Sequence, residues 1–182
     1  MVKKLENQLV IADGVDGAGK SQLSFHLIDK YRFNYIHHGV QPNIQQYHTD
    51  SLDIVRDHQM KYKSNWILDR LHVSEEVYGN IFRNGAQYDW VTLNENIIEN
   101  LKEYNGKYTL ILCLPPKEKC LETHAKRLAA GNEMFNTIEA VYDAYEKIYE
   151  EYKDKFNIYK YDFTEDPDYS KLDNYLESLE NK

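Results

Sequence analysis

Eight consecutive residues constrain this chain more than any other feature. Gly14-Val15-Asp16-Gly17-Ala18-Gly19-Lys20-Ser21 satisfies the pattern G-x-x-x-x-G-K-[ST] in full. The apolar run Gln8 to Ala12 precedes it, and Leu23, Leu27 and Ile28 follow at helical spacing, so the context is strand, loop, helix. Glycines let the backbone wrap closely around phosphate oxygens, so that successive amide N–H groups and the following helix N-terminus face the anion. Lys20 adds a full charge at the β- and γ-phosphates, and the Ser21 hydroxyl supplies a ligand for Mg²⁺. Gly14, Gly17, Ala18, Gly19, Lys20, Ser21 and Gln22 are therefore expected to hold a nucleoside triphosphate, taken as ATP, together with Mg²⁺.

The remaining segments repeat the alternation. Strands are expected at Phe33 to His37, at Trp66 to Leu68 ending on Asp69-Arg70, at Lys107 to Leu114 and at Phe156 to Tyr161. The polar stretch His38 to Asp50 reads as an active-site loop, followed by a helical segment to about Lys61. Further helices are expected on Val73, Val77 and Ile81, on Leu93, Ile97 and Leu101, from Lys117 to about Ala130, along Ile138 to Tyr152, and on Leu172, Leu176 and Leu179. Strands alternating with helices predict an α/β three-layer sandwich with a central, mostly parallel five-stranded sheet, built as one domain over 1–182. At 182 residues the chain is long enough to bury a full core around such a sheet.

Composition excludes several classes. The longest apolar runs, such as Leu110 to Leu114, are too short to cross a bilayer. MVKKLENQLV carries no apolar segment behind its lysines, so a cytoplasmic location is expected by default. Cys113 and Cys120 have neither redox-pair nor metal-ligand spacing and read as reduced structural thiols. A net charge of −8 gives no overall attraction for a polyanion, so extended nucleic acid is disfavoured while small nucleotides remain compatible with a local basic pocket. The seven histidines show no HxxxH or Cys/His spacing, which argues against structural zinc. The tyrosines from Tyr142 to Tyr152 have the helical spacing of a packing face.

The wider string ADGVDGAGKS resembles the phosphate loop of thymidylate kinases and their relatives. Asp69-Arg70-Leu71-His72-Val73-Ser74-Glu75-Glu76-Val77-Tyr78 is similar to the DR(Y)xxSxxxY segment of the same group. The pattern is closest to compact phage-encoded members, and it implies a P-loop kinase fold. By that resemblance Arg70 holds the acceptor's phosphate, as the two-pronged guanidinium suits, with Ser74 beside it, and Asp69 contacts Mg²⁺ directly or through water. Asp16 bonds the sugar 3′-hydroxyl and Tyr78 crowds the 2′ position, which implies a deoxyribose preference. Asp13 stands where related deoxynucleoside kinases keep the carboxylate that deprotonates a 5′-hydroxyl. A lid is implied near 126–135, from Lys126 to Glu133 and just beyond, in which Arg127, with Lys126, stabilises the transferring phosphoryl. A homodimer is implied as well.

The sequence departs from the group at two places. The usual R-x-P-G segment is replaced by His38-Gly39-Val40-Gln41-Pro42, leaving Gln41 or His38 to take the arginine's place. Glu75 stands where thymidine-specific members often carry asparagine, so Gln41 and Glu75 could read a base edge carrying donors, or a base with an added hydroxyl. Arg83 either reaches the acceptor from the end of its helix or faces water. The expected activity is Mg-ATP-dependent phosphorylation of a deoxynucleoside monophosphate. Two alternatives stand beside it: a kinase acting on a hydroxyl of a deoxynucleoside or of a modified base in DNA, and a nucleotide-dependent switch without an acceptor site.

Overall fold

A computed structural model describes residues 5–131 and 138–180. In chain order the elements are β1 (Gln8–Gly14), α1 (Lys20–Tyr31), β2 (Asn34–His37), α2 (Ile44–Tyr62), β3 (Trp66–Asp69) and α3 (His72–Phe82). Then come α4 (Trp90–Lys102), β4 (Lys107–Cys113), α5 (Lys117–Ala129), α6 (Glu139–Tyr152), β5 (Ile158–Tyr161) and α7 (Ser170–Leu179). The strands form one sheet in the order β2-β3-β1-β4-β5, every neighbouring pair parallel.

β1 lies at the centre because it is apolar on both faces: all seven of its residues are buried. A parallel strand needs a crossover to reach its neighbour, and crossover helices cover both faces, so such a strand reads as a continuous apolar run. Each fully buried Leu or Ile there contributes about 1.5–3 kcal/mol relative to exposure. The edge strands β2 and β5 are correspondingly more exposed.

Register decides what meets at the carboxyl edge. Ala12 pairs with Asp69 across β1 and β3, and Gly14 with Cys113 across β1 and β4. The chain leaving β1 therefore passes directly beside Asp69-Arg70, at the place where strand order reverses direction and α/β sheets open a crevice.

Several boundaries differ from the sequence reading. The polar stretch expected as a loop is helical from Ile44 onward, because the Asn43 side chain accepts a hydrogen bond from the Gln46 N–H at 3.2 Å and caps α2. Only 38–43 remains a connection. β5 starts at Ile158 rather than Phe156, and Leu114 lies just past β4, though its N–H still reaches the Tyr161 carbonyl at 2.9 Å. The tyrosine face of α6 packs as expected: Tyr142 and Tyr145 are buried, and the Tyr142 hydroxyl donates to the Pro115 carbonyl at 2.9 Å. Cys113 and Cys120 are both buried and free. Among the described residues no helix is long and apolar enough to cross a membrane.

Candidate active site

The loop from Gly14 to Gly19 turns where β1 ends. Gly14 has φ 141°, and a Cβ there would lie 2.5 Å from the Cys113 carbonyl oxygen on the neighbouring strand. No other residue fits that position. Gly19 precedes α1 with φ 91°, and its missing Cβ leaves room for Phe163, whose ring would be 3.2 Å away. Lys20, 7% exposed, folds back so that Nζ donates to the carbonyls of Gly14 and Val15, both at 2.8 Å. Burial and the Arg70 charge lower its pKa, opposed by Asp16 and Asp69. Ser21 and Gln22 stand exposed on the first turn of α1.

Arg70 follows β3 in a left-handed conformation, φ 71°, which is costly for a residue with a side chain. Three hydrogen bonds hold the turn. The Arg70 N–H donates to the Ala12 carbonyl at 2.9 Å, the His38 N–H donates to the Asp69 carbonyl at 3.0 Å, and His38 Nδ1 donates to the Arg70 carbonyl at 2.7 Å. Burial lowers the His38 pKa, and its Nε2 lies 2.9 Å from the Ser51 hydroxyl.

The Arg70 side chain reaches back to Asp16 in the phosphate loop, one Nη2 donating to Oδ1, and lies over the Tyr78 ring at 5.1 Å. The Tyr78 hydroxyl donates to the other Asp16 oxygen at 3.2 Å. Burial disfavours ionisation of Asp16, but Arg70 and Lys20 outweigh it and hold the carboxyl below its ordinary value. Asp16, Arg70 and Tyr78 are thus one unit bridging the loop and α3.

Asp13 is fully buried. One carboxylate oxygen accepts from the Ser74 hydroxyl and the other from the Leu71 N–H at 3.4 Å, while burial raises its pKa. The Ser74 oxygen also meets the Tyr145 hydroxyl at 2.8 Å. Asp69 is held differently: Oδ2 accepts from the Tyr35 hydroxyl at 2.9 Å and lies 3.1 Å from His37 Nδ1, whereas Oδ1 is buried and has no partner among the described residues.

Beside this cluster opens a cavity of about 500 Å³. Asp16, Arg70 and Tyr78 line it beside the phosphate loop, and Glu75 and Arg83 also border it from α3 and its C-terminal end. Val40, Ile44, Leu71 and Phe82 supply apolar wall, and His48 contributes from α2. Glu75 is inaccessible: Oε2 accepts from Arg83 Nη2, and Oε1 from the Gln87 N–H at 2.8 Å.

No family model matches this sequence, and no curated protein matches it either. Solved structures do match over nearly the whole chain. The YorR protein from Bacillus subtilis, in complex with phosphorylated GDP, superposes with a TM-score of 0.68 at 18% identity, covering 95% of this chain and 97% of that one. Thymidylate kinase from Candida albicans gives 0.56 at 17% identity, over 98% and 95% of the two chains. Deoxyadenosine kinase from M. mycoides with bound dATP gives 0.51 at 20% identity, over 96% and 100%. The chain has the P-loop kinase fold.

Within that fold, most residues singled out from the sequence converge at one carboxyl edge, with differences of detail. Gln41 is exposed and does not line the cavity, so of the two candidates for the absent arginine only His38 is in place, and it is occupied in holding the Arg70 turn. Glu75 offers no free oxygen to a ligand, because Arg83 and Gln87 take both. Ser74 lines the cavity but joins Asp13 to Tyr145. Arg83 faces the cavity rather than bulk water alone. α5 crosses the phosphate loop: a Cβ on Gly17 would lie 3.0 Å from Thr123 Cγ2. Arg127 is one turn further on the same face as Thr123, and its charge reaches Asp16. Lys126 instead pairs with Glu122 at 2.6 Å. Residues 132–135 of the expected lid lie outside the described residues.

Five contributors escaped the sequence reading: Tyr35 and His37 behind Asp69, His48 in the cavity wall, Tyr145 behind Ser74, and Phe163 against Gly19. The alternation of Tyr35 and His37 on one face of β2, ending level with Asp69, is the one signal that could have flagged a pair of them.

Proposed function

We propose that the protein is a nucleoside monophosphate kinase that transfers the γ-phosphoryl group of ATP to the 5′-phosphate of a deoxynucleotide. The observation that carries this reading is the placement of Arg70. Its backbone is held by two hydrogen bonds, with a third on the adjoining Asp69 carbonyl, and its guanidinium stands between the phosphate loop and a cavity of about 500 Å³, a nucleotide-sized space.

The chemistry follows from the groups present. An oxygen of the acceptor's 5′-phosphate forms a bond to the γ-phosphorus as the bond to the donor's β-phosphate oxygen breaks. The acceptor oxygen is ionised at neutral pH, so no base is required. Lys20 moves from its two carbonyl partners onto the β- and γ-phosphates, and Arg70 exchanges Asp16 for the acceptor phosphate, gripping it with two parallel hydrogen bonds. Asp16, so released, accepts from the sugar 3′-hydroxyl, and Tyr78 leaves no space at the 2′ position. Arg127 approaches the transferring group from α5. Asp69 Oδ1, which has no partner among the described residues, and the exposed Ser21 hydroxyl would hold a hard divalent cation; Mg²⁺ bound there would neutralise charge on the donor phosphates.

A hydroxyl acceptor would need an accessible carboxylate base, and Asp13 is buried with both oxygens engaged. A switch would need no second cavity beyond the phosphate loop.

The test is incubation of the purified protein with Mg-ATP and each deoxynucleoside monophosphate, each nucleoside and short DNA, following the acceptor by mass. A deoxynucleoside diphosphate that disappears in Arg70→Ala is expected. Phosphorylation of hydroxyl acceptors alone would overturn the reading and return Asp13 to the centre of the mechanism.

A further inference from the structure

The cavity wall carries polar groups that the phosphoryl-transfer chemistry does not use. Glu75 and Arg83 line the same cavity as Arg70 and Tyr78, so a nucleotide whose phosphate meets Arg70 has its base within the space they border. Glu75 is enclosed by Arg83 and by the Gln87 N–H, so it presents no acceptor. Arg83 gives one Nη2 to Glu75; its remaining N–H groups make no hydrogen bond among the described residues, and its side chain is 30% exposed on the cavity wall.

His48 reaches the same space from α2. Its Nδ1 is hydrogen-bonded to the Tyr88 hydroxyl, and the ring packs edge-on against His38 at 4.8 Å. Burial, first of all, with His38, His72 and Arg83 as neighbours, lowers its pKa to about 3, so the imidazole is neutral. Burial likewise raises the Tyr88 pKa, so the phenol keeps its proton. The phenol, the better donor of the two, gives its hydrogen to Nδ1, which leaves the imidazole proton on Nε2. Nε2 makes no hydrogen bond among the described residues.

Resting on the nucleotide-acceptor reading above, we infer that Arg83 and His48 read the base, and that these two donors on an otherwise largely apolar wall select guanine. Guanine presents adjacent acceptors, O6 and N7, where adenine puts a donor amino group beside N7. An Arg83 N–H facing the adenine amino group would leave two donors opposed and buried, whereas guanine satisfies both Arg83 and the His48 Nε2–H. The inference reverses what Glu75 alone suggests, since a free carboxylate would favour a base edge carrying donors.

The experiment compares dGMP, dAMP, dCMP and dTMP for kcat/KM, and for equilibrium binding by calorimetry with no donor present, in the native protein and in Arg83→Lys and His48→Phe. Lysine keeps a counter-ion for buried Glu75, and phenylalanine keeps the ring, so both variants can fold; thermal unfolding checks that they do. The native protein should favour dGMP over dAMP by about tenfold or more, and each variant should lose about tenfold or more on dGMP with little change on dAMP. Equal use of dAMP, or equal losses on all four nucleotides, would overturn the inference. Binding separates it from the choice of acceptor: guanine-selective binding with phosphorylation of deoxyguanosine alone sinks the monophosphate reading and leaves base selection standing.

Discussion

At the scale of single residues, the site pairs opposite charges across elements. Arg70 and Asp16 partner each other, and under the proposed function both are needed elsewhere once nucleotide is bound. Arg70→Lys keeps the charge and the Ala12 hydrogen bond but loses the two-pronged grip on phosphate, so kcat/KM for the acceptor should fall about 100-fold while KM for ATP changes little. Steady-state kinetics with each substrate varied in turn checks this; a loss confined to ATP would place Arg70 on the donor side. Asp13→Asn separates the two acceptor chemistries. With an ionised phosphate as acceptor, kcat should stay within about tenfold, although an amide facing the Leu71 N–H costs about 1–2 kcal/mol of stability. Loss of turnover with the fold intact would mark Asp13 as a base. Arg70, Asp16 and Tyr78 were legible in the sequence because motif spacing fixes them. Tyr145 and His48 were not: each reaches the site across a helix interface, and helical periodicity reports only that a residue faces inward.

At the scale of elements, α3 carries Ser74, Glu75 and Tyr78 toward the site while its other side packs against α4 and α6. Its C-terminal end is anchored at Gly79, where an added Cβ would lie 2.7 Å from the Ala86 Cα, a backbone atom that cannot swing aside. Gly79→Ala should therefore cost about 1–3 kcal/mol in urea unfolding and weaken acceptor binding by moving Arg83; unchanged stability would mean that the 84–86 turn yields freely. The helix itself was predictable from Val73, Val77 and Ile81, yet its anchoring was not, since Gly79 in a sequence reads only as a weak helix former. α2 is the opposite case. Its start was hidden because Asn43 and Gln46 read as loop polarity until their capping bond is seen.

At the scale of the whole molecule, three buried histidines tie stability to pH. His72 is pushed down to about 4 and His48 to about 3 by burial, and His38 is lowered as well. In the unfolded chain each takes up a proton near pH 6.5. Between about 6.5 and 4 the unfolded state therefore binds more protons, and stability falls with acid by roughly 1.4 kcal/mol per pH unit for each of His48 and His72, with His38 acting in the same direction. Asp13, whose raised pKa lets the folded state hold a proton, offsets part of this. Urea unfolding at pH 8, 6 and 5 should show a steady decline, less steep in His48→Phe; a flat profile would mean that the rings protonate in place.

The sequence by itself determined the α/β class, the phosphate loop and the Asp69-Arg70 turn, because each rests on local chemistry: periodic burial, glycine geometry and a charge pair at a strand end. Tertiary structure alone decided strand order, and through it what lies beside Arg70. It also decided that Glu75 is enclosed by Arg83 and Gln87 while His48 faces the cavity. Such assignments depend on which partners converge in three dimensions, whether 8 residues apart as Glu75 and Arg83 are or 40 apart as His48 and Tyr88 are, and a carboxylate has the same appearance in a sequence whether its oxygens are free or taken.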